Sequence, residues 1–546
     1  MGGQHLPVAA AGDEVGERSA DIDADPGQAA LLRLDEDGGF SHSAPDFRPE
    51  GFIMAACSPF IAGEPCIVCP AMGALTESII DFLCGPAPAR APEKAREIAV
   101  TGFIDCIGVA LAGAVQPVAR NLWRAEQGGP PESRLLLSAK RLPAARAALI
   151  GSAAAHALDL DDYAFANHTS AVLVPPILAE AEVVGASGAR MLGAYLAGFE
   201  VWGVLARREQ DYMQAAGWHP TGVYGPVGAA AALSWLRGLP RAETRNALGL
   251  AAAAGGGVMD NFGTQAKPYQ AARAAEAGLA AVRRALAGLD AGPHALDGPG
   301  GFLQTISPQG RVDCASPASE LGKDWYMARH GLNIKRYPVV GAAQRCVDAA
   351  LQLRGDHDFD ASALERVTAR ISEGHSSVMR FRRPSDAMQA KFSLEFAVSA
   401  ALLSGRLGLK EMRDDWVRRS DVQALMQRVE RMEVPDDDPV YPVGARYDAV
   451  SVLPAEGSEI MSEPVYRYRG HGRNPLSRPE LRAKFMNCAV FSERSEQAAP
   501  SPDVRDGQDV LPPPVAVELF ERLERLAELD SVKDLPELPL EGLFSE

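Results

Sequence analysis

AVLVPPILAEAEVVGASGARMLGAYLAGFEVWGVLAR, residues 171–207, decides the fold class. Apolar residues recur at helical spacing through 171–186 and again through 189–207, and the break Gly185-Ala-Ser-Gly188 separates the two runs. Both runs are apolar around much of their circumference, the pattern of helices inside a large bundle. The same texture extends upstream to 75–84, 92–114 and 143–159, and downstream to 222–236, 241–255 and 269–288. Glycine breaks fall at Gly217, Gly238 and Gly255–Gly257. Aromatic residues make up only 6% of the chain, so alanine and glycine at the helix contacts do much of the packing.

Beyond about residue 290 the texture changes. Glycine and proline cluster at 292–310, and strand-like stretches follow at 366–371 and 465–468, with helical segments at 341–354 and 387–404 between them. A second, mixed α/β domain over 326–470 is expected, after a first helical part over 75–325. Segments 478–489 and 514–528 read as helices again, so residues 471–546 are expected to return to the helical domain and end in a tail. Residues 1–70 are acidic, rich in glycine and alanine, and lack sustained periodicity; they read as a disordered leader. Cys66-Ile-Val-Cys69 lies within it, but Cys57 is the only further cysteine nearby, so a flexible tail is favoured over a metal site.

Composition sets outer bounds. A chain of 546 residues exceeds one compact core. A formal charge of −17 argues against broad nucleic-acid binding, yet leaves room for an anionic ligand held by a few lysines focused in a cleft. The eight cysteines form no disulfide framework, and a reducing, cytoplasmic setting is the expectation. No apolar run reaches the roughly 20 residues of a membrane span, and the first 30 residues show no signal pattern.

Four constellations carry chemistry. The first is His156-Ala-Leu-Asp159-Leu-Asp161-Asp162-Tyr163 followed by Asn167-His168-Thr169-Ser170. On a continuing helix His156, Asp159 and Tyr163 would share one face, and so many ionisable groups beside an apolar run are costly to bury without purpose. A solvated acidic turn at a helix end is the competing reading. The second is Gly217-Trp-His219-Pro-Thr-Gly222, where a histidine fixed before a helix start suits acid–base work, against a residue that merely caps or packs. The third is Asn261-Phe-Gly-Thr-Gln-Ala-Lys267-Pro268. A cation opening a helix opposes the helix dipole and should be tied to a negative partner; a surface lysine is the plainer alternative. The fourth is Asn333-Ile-Lys335-Arg336-Tyr337-Pro338, able to clamp carboxylates at a domain entrance or to form an exposed basic turn.

Taken together and in this order, these motifs resemble the MmgE/PrpD family, which contains 2-methylcitrate dehydratase and cis-aconitate decarboxylase. The resemblance also rests on Asp105-Cys-Ile-Gly108, Ala112-Gly113, AKFSLEFAVSAALLSGRLGL at 390–409 and NPLSRPELRAKF at 474–485. It implies a mainly α protein in which a large all-helical domain carries an inserted smaller α/β lid, commonly as a homodimer, with the site between the two. It further implies a cofactor-independent lyase that uses no metal and acts on a small polycarboxylate. Asp159, His168, His219, Lys267 and Lys335 match positions associated with that site. The lysines would anchor carboxylates, the histidines would move protons, and Asp159 would tune a neighbouring donor. Tyr163 and Gln270 are expected to contact substrate.

The chain departs from the family at several of these places. Tyr163 replaces a small hydroxyl residue, Gln270 and Gln344 replace histidines, and Val340 and Phe396 stand where the decarboxylase carries a histidine and a tyrosine. Dehydration of the 2-methylcitrate type is therefore the first expectation. Decarboxylation of cis-aconitate, or epimerisation of an iminodisuccinate-like compound, is the alternative on the same site. A degenerate member that binds a metabolite without turnover is the reading from outside enzymology.

Overall fold

The computed structural model describes residues 73–441, 443–491 and 510–544. The leader expected over 1–70, with Cys57, Cys66 and Cys69, lies outside them. The chain is mainly α. Among the described residues nine α-helices come first: α1 (Ala74–Leu83), α2 (Glu93–Gly113), α3 (Pro117–Ala125), α4 (Ala144–His156), α5 (Thr169–Val184), α6 (Gly188–Arg208), α7 (Pro220–Arg237), α8 (Arg241–Ala252) and α9 (Ala266–Leu286). The glycine breaks act as stops. Gly185 and Gly238 close α5 and α7 in left-handed conformation, both at φ 66°, which a side chain would strain. Ser187 then opens α6 by accepting from the Arg190 backbone N–H. Small residues pack closely where α2 crosses α4, since a Cβ on Gly113 would lie 1.9 Å from the Ala154 carbonyl oxygen.

Short helices α10 (Phe302–Ile306) and α11 (Tyr326–His330) lead to the α/β part, which holds α12 (Gln344–Asp356), α13 (Glu373–Val378), α14 (Ala387–Ala390), α15 (Leu394–Ser404), α16 (Asp414–Val417) and α17 (Ser420–Met426). After a two-stranded ribbon of β1 (Ser133–Arg134) and β2 (Arg141–Leu142), the remaining strands are β3 (Leu364–Ser372), β4 (Val429–Val434), β5 (Ala449–Pro454) and β6 (Ile460–Met461). They form one sheet in the order β4-β3-β5-β6, with β3 parallel to β4 and antiparallel to β5. Val367, Ile371 and Val450 of this sheet share an apolar core with Val347 of α12 and Val398 of α15. A larger core joins α2 and α4–α9 to α18 (Arg478–Ala489) and α19 (Pro513–Glu524). Phe485 of α18 tilts onto Phe520 of α19 at 5.4 Å. Among the described residues no single helix is long and apolar enough to cross a membrane.

Four features of the chain differ from what its sequence predicts. The helix expected over 143–159 ends at His156. The helix expected over 387–404 is two, because Ser393 caps α15 by accepting from the Phe396 N–H and breaks the run at Lys391–Ser393. Residues 465–468 are not a strand: Val465 makes a single bridge to Asp448. Strands β4, β5 and β6 were not anticipated, since VERMEV is charged on an edge and AVSVLP is short.

Candidate active site

Helix ends bring the site together. His156 closes α4, His168 and His219 stand immediately before α5 and α7, and Lys267 lies in the first turn of α9. A Cβ on Gly222 would fall 2.4 Å from the Gly256 carbonyl, so only glycine lets the start of α7 dock there and hold His219 in place. The α/β part adds Lys335, from the loop before α12, and Lys391, just after α14. The shared helical face expected for His156, Asp159 and Tyr163 does not exist, because the chain leaves the helix and Asp159 takes a left-handed conformation at φ 52°. That turn still delivers its carboxylate to the group that His156 meets. Lys267 Nζ lies 2.7 Å from Asp159 Oδ1 and 2.9 Å from His156 Nε2. Lys267 thus has the anionic partner its position at a helix start requires.

Asp159 is the hub. Its Oδ1 also receives Lys335 Nζ at 3.0 Å, while the same ammonium donates to the Asp159 backbone carbonyl at 2.8 Å. Burial alone would raise the Asp159 pKa, but Lys267 and then Lys335 outweigh it and hold the carboxyl well below the usual range. Burial lowers the pKa of Lys267, and Asp159 only partly restores it. The second carboxylate, Asp161, accepts from two imidazoles: His156 Nδ1 and His168 Nδ1 each lie 3.0 Å from its Oδ2. Burial pushes the His168 pKa down to about 3 against the pull of Asp161, and burial lowers that of His156 as well. Both rings are therefore neutral near pH 7, and the 3.7 Å between His168 Nε2 and Asp159 Oδ1 is proximity, not an ion pair. With Nδ1–H given to Asp161, the His168 Nε2 lone pair is free to take a proton.

His219 is arranged the opposite way. The Gln270 side-chain amide donates to its Nδ1 at 3.0 Å, which puts the ring proton on Nε2, and that buried atom has no partner among the described residues. Burial, then Lys267, holds its pKa well below the usual value, so it remains a neutral donor. The rings of His156 and His219 run nearly parallel with centroids 6.1 Å apart, and Phe262 stands edge-on to His219 at 5.1 Å.

The substituted positions also find explanations. Gln270 stands behind His219 rather than in front of it, because its Oε1 also accepts from the Val258 N–H at 2.6 Å. In this conformation its amide holds the His219 ring and the Val258 N–H. Gln344 is buried and ties the Arg336 and Tyr337 N–H groups to the Tyr337 and Val339 carbonyls, fixing the turn that carries Lys335. Phe396 is fully buried, edge-on to Trp416 at 6.2 Å. Tyr163 borders the site, its ring 6.0 Å from Lys335 Nζ and packed on Gly341.

Three contributors escaped the sequence reading. Asp161 stood in the quoted motif, but one of three nearby carboxylates cannot be singled out without geometry. His156 was quoted and assigned no role. Lys391 sat unremarked in AKFSLEF; its Nζ donates to the Ala157 carbonyl at 2.7 Å, and burial pulls its pKa down to about 8. Beneath the site Asp162 is pushed up to about 7 by burial and then by Asp105, whose Oδ1 lies 2.5 Å from Lys484 Nζ.

His156, Asp159, Asp161 and His168 could also be viewed as a metal set, since their ligand atoms lie within 4.8 Å of one another. The donor chemistry argues otherwise. Two ammonium groups already sit on Asp159 Oδ1, His156 Nε2 accepts from Lys267, and both Nδ1 atoms serve Asp161. A dication would have to enter beside fixed positive charge.

Comparison with known proteins identifies the family. The family model described as the MmgE/PrpD N-terminal domain matches residues 77–315, and the MmgE/PrpD C-terminal domain model matches residues 337–500. Cis-aconitate decarboxylase of Mus musculus is 30% identical over 362 residues, covering 63% of this chain and 72% of that protein. The human protein of the same name is 30% identical over 363 residues, with the same coverage. A cis-aconitate decarboxylase-like protein of Aspergillus oryzae is 26% identical over 459 residues, covering 78% of this chain and 93% of its own length.

Proposed function

This chain belongs to the MmgE/PrpD family, and from that premise we propose that it is a metal-independent lyase that moves a proton at a carbon alpha to a carboxylate of a small polycarboxylate. The observation that carries the reading is the placement of two buried ammonium groups on one carboxylate oxygen, beside two neutral imidazoles of opposite polarity. Substrate carboxylates take the remaining N–H donors of Lys267 and Lys335, which oppose the negative charge that builds as the carbon is deprotonated. His168 is the base: Asp161 orients it and stabilises the imidazolium once Nε2 accepts the proton. His219 Nε2–H is the donor toward the leaving oxygen, kept in that tautomer by Gln270. The α/β part, which supplies Lys335, acts as the lid over the bound substrate.

With base and donor both present, dehydration of a citrate-like alcohol is the preferred reaction: His168 takes the alpha proton, the His219 Nε2–H hydrogen-bonds the departing hydroxyl, and that hydroxyl takes the proton held by His168 and leaves as water, which returns both imidazoles to their neutral state. Decarboxylation is the second reading, favoured by the named activity of the relatives from mouse, human and Aspergillus. Incubating purified protein with methylcitrate, citrate and cis-aconitate and following product mass separates the two. Loss of water from methylcitrate or citrate is expected. Carbon dioxide release from cis-aconitate without hydration or dehydration of any of the three would replace the first reading by the second. Ligand-induced thermal stabilisation without product from any of them would make the protein a binder.

A further inference from the structure

Lys391 is a buried ammonium with no carboxylate within ion-pair distance among the described residues. Its Nζ donates to the Ala157 carbonyl at 2.7 Å and lies 3.2 Å from Met388 Sδ, and neither partner carries charge. Lys267 and Lys335, by contrast, both sit on Asp159. An ammonium taken out of water and left without a counter-charge is costly, and such groups persist where function needs them. Lys391 is anchored through its backbone as well as its side chain. Its backbone carbonyl accepts from the Val340 N–H at 2.9 Å, which binds it to the segment carrying Lys335, and the neighbouring Phe392 ring lies 5.2 Å from Lys267 Nζ. Its own Nζ reaches the loop two residues before Asp159, and Asp159 and Lys267 are the charges that act on it most strongly. An ammonium has three N–H donors. Lys267 uses two, on His156 and Asp159, and Lys335 uses two, on the backbone and side chain of Asp159. Each of the three lysines therefore keeps one donor uncommitted.

We propose that Lys391 is a substrate-binding residue that receives a third carboxylate, so that the site prefers tricarboxylates to dicarboxylates. The proposal rests on the polycarboxylate lyase reading and names the substrate class within it. Before a ligand arrives no carboxylate pairs with Lys391 directly; a substrate with a third carboxylate supplies that partner, and a dicarboxylate satisfies Lys267 and Lys335 alone.

The test uses the full chain and two unreactive probes, tricarballylate with three carboxylates and glutarate with two, measured by titration calorimetry. Wild type should bind tricarballylate more tightly. Lys391→Met should weaken tricarballylate by about tenfold or more, the loss expected for one charge-assisted hydrogen bond, while glutarate changes little. Lys391→Arg should keep part of the preference. The ligand-free Lys391→Met protein should melt at or above the wild-type temperature, since the group removed is an unpaired charge; a purely structural lysine would lower that temperature and weaken both probes equally. If the Met variant does not fold, Lys391→Gln makes the same comparison. Unchanged tricarballylate affinity, or equal loss for both probes, overturns the proposal and leaves the lyase reading standing. Wild type that binds neither probe and turns over no polycarboxylate overturns the lyase reading itself.

Discussion

Replacing Asp159 by asparagine keeps the side chain's shape and one acceptor oxygen but removes the charge that Lys267 and Lys335 share at 2.7 and 3.0 Å. Breaking a buried ion pair from one side typically costs about 3–5 kcal/mol, because the remaining charge is stranded in a poorly solvated place. Here two ammonium groups are stranded together, yet Lys267 already has a lowered pKa and can shed its proton. The destabilisation of Asp159→Asn should therefore lie in that range near pH 7 and shrink toward pH ~9, as Lys267 neutralises. It should shrink on the acid side too. The folded-state pKa of Asp159 is depressed, so its contribution is fully present above the unfolded value of about 4 and is lost as pH falls below it. Against a total stability of about 5–15 kcal/mol the change is large. Thermal unfolding of wild type and variant across about pH 3–9 should give a gap in melting temperature that is widest between about pH 5 and 8. The double variant Asp159→Asn/Lys267→Met should lose less than the sum of its parts. A variant as stable as wild type at every pH would refute the reasoning, since the two lysines would then be solvated and not held by Asp159.

His168→Gln and His219→Gln should each lower kcat by about 10²–10⁴-fold without changing the fold; steady-state kinetics with near wild-type turnover in either variant would remove that residue from proton transfer. Gln270→Leu should free His219 Nδ1 and the Val258 N–H, lowering kcat by up to about 10²-fold with little change in KM; an effect on KM alone would return Gln270 to a direct substrate contact. Prolonged treatment with EDTA should leave turnover unchanged, because ammonium groups carry the positive charge. Loss of activity restored by one particular divalent cation would show that the His156–Asp159–Asp161–His168 set holds a metal.

Much of the helical part could be read from the sequence because its stop signals are local: Gly185 and Gly238 end helices through their own backbone freedom. The site was partly readable for a related reason. Lys267 at a helix start demands an anion, though nothing in the sequence said which carboxylate supplies it. What the sequence could not disclose was the left-handed turn at Asp159, which one residue's conformation creates and no periodicity announces. Continuing the helix past His156 put Tyr163 on the wrong face. Lys391 was missed because burial of an ammonium depends on what the α/β part presses it against, and its neighbours in sequence read as an ordinary amphipathic run. The strand β4 was hidden by its charged, half-exposed alternation, which marks an edge only once β3 is beside it.

The closing of the chain on its own beginning has a consequence in time. Arg134 donates to the Val532 and Leu535 carbonyls, the latter 401 residues along the chain, and Lys484 reaches the Leu160 carbonyl under the site across 324 residues. At a synthesis rate of about 5–20 residues per second, the early helices wait roughly 20–80 s after Arg134 is made before the segment that completes their core exists. During that interval the apolar surfaces that α18 and α19 later cover on α2 have no native partner. Folding of the larger half thus waits for α18 and α19 to be made, and a ribosome stalled between residues 290 and 470 would present most of the bundle helices without these two partners.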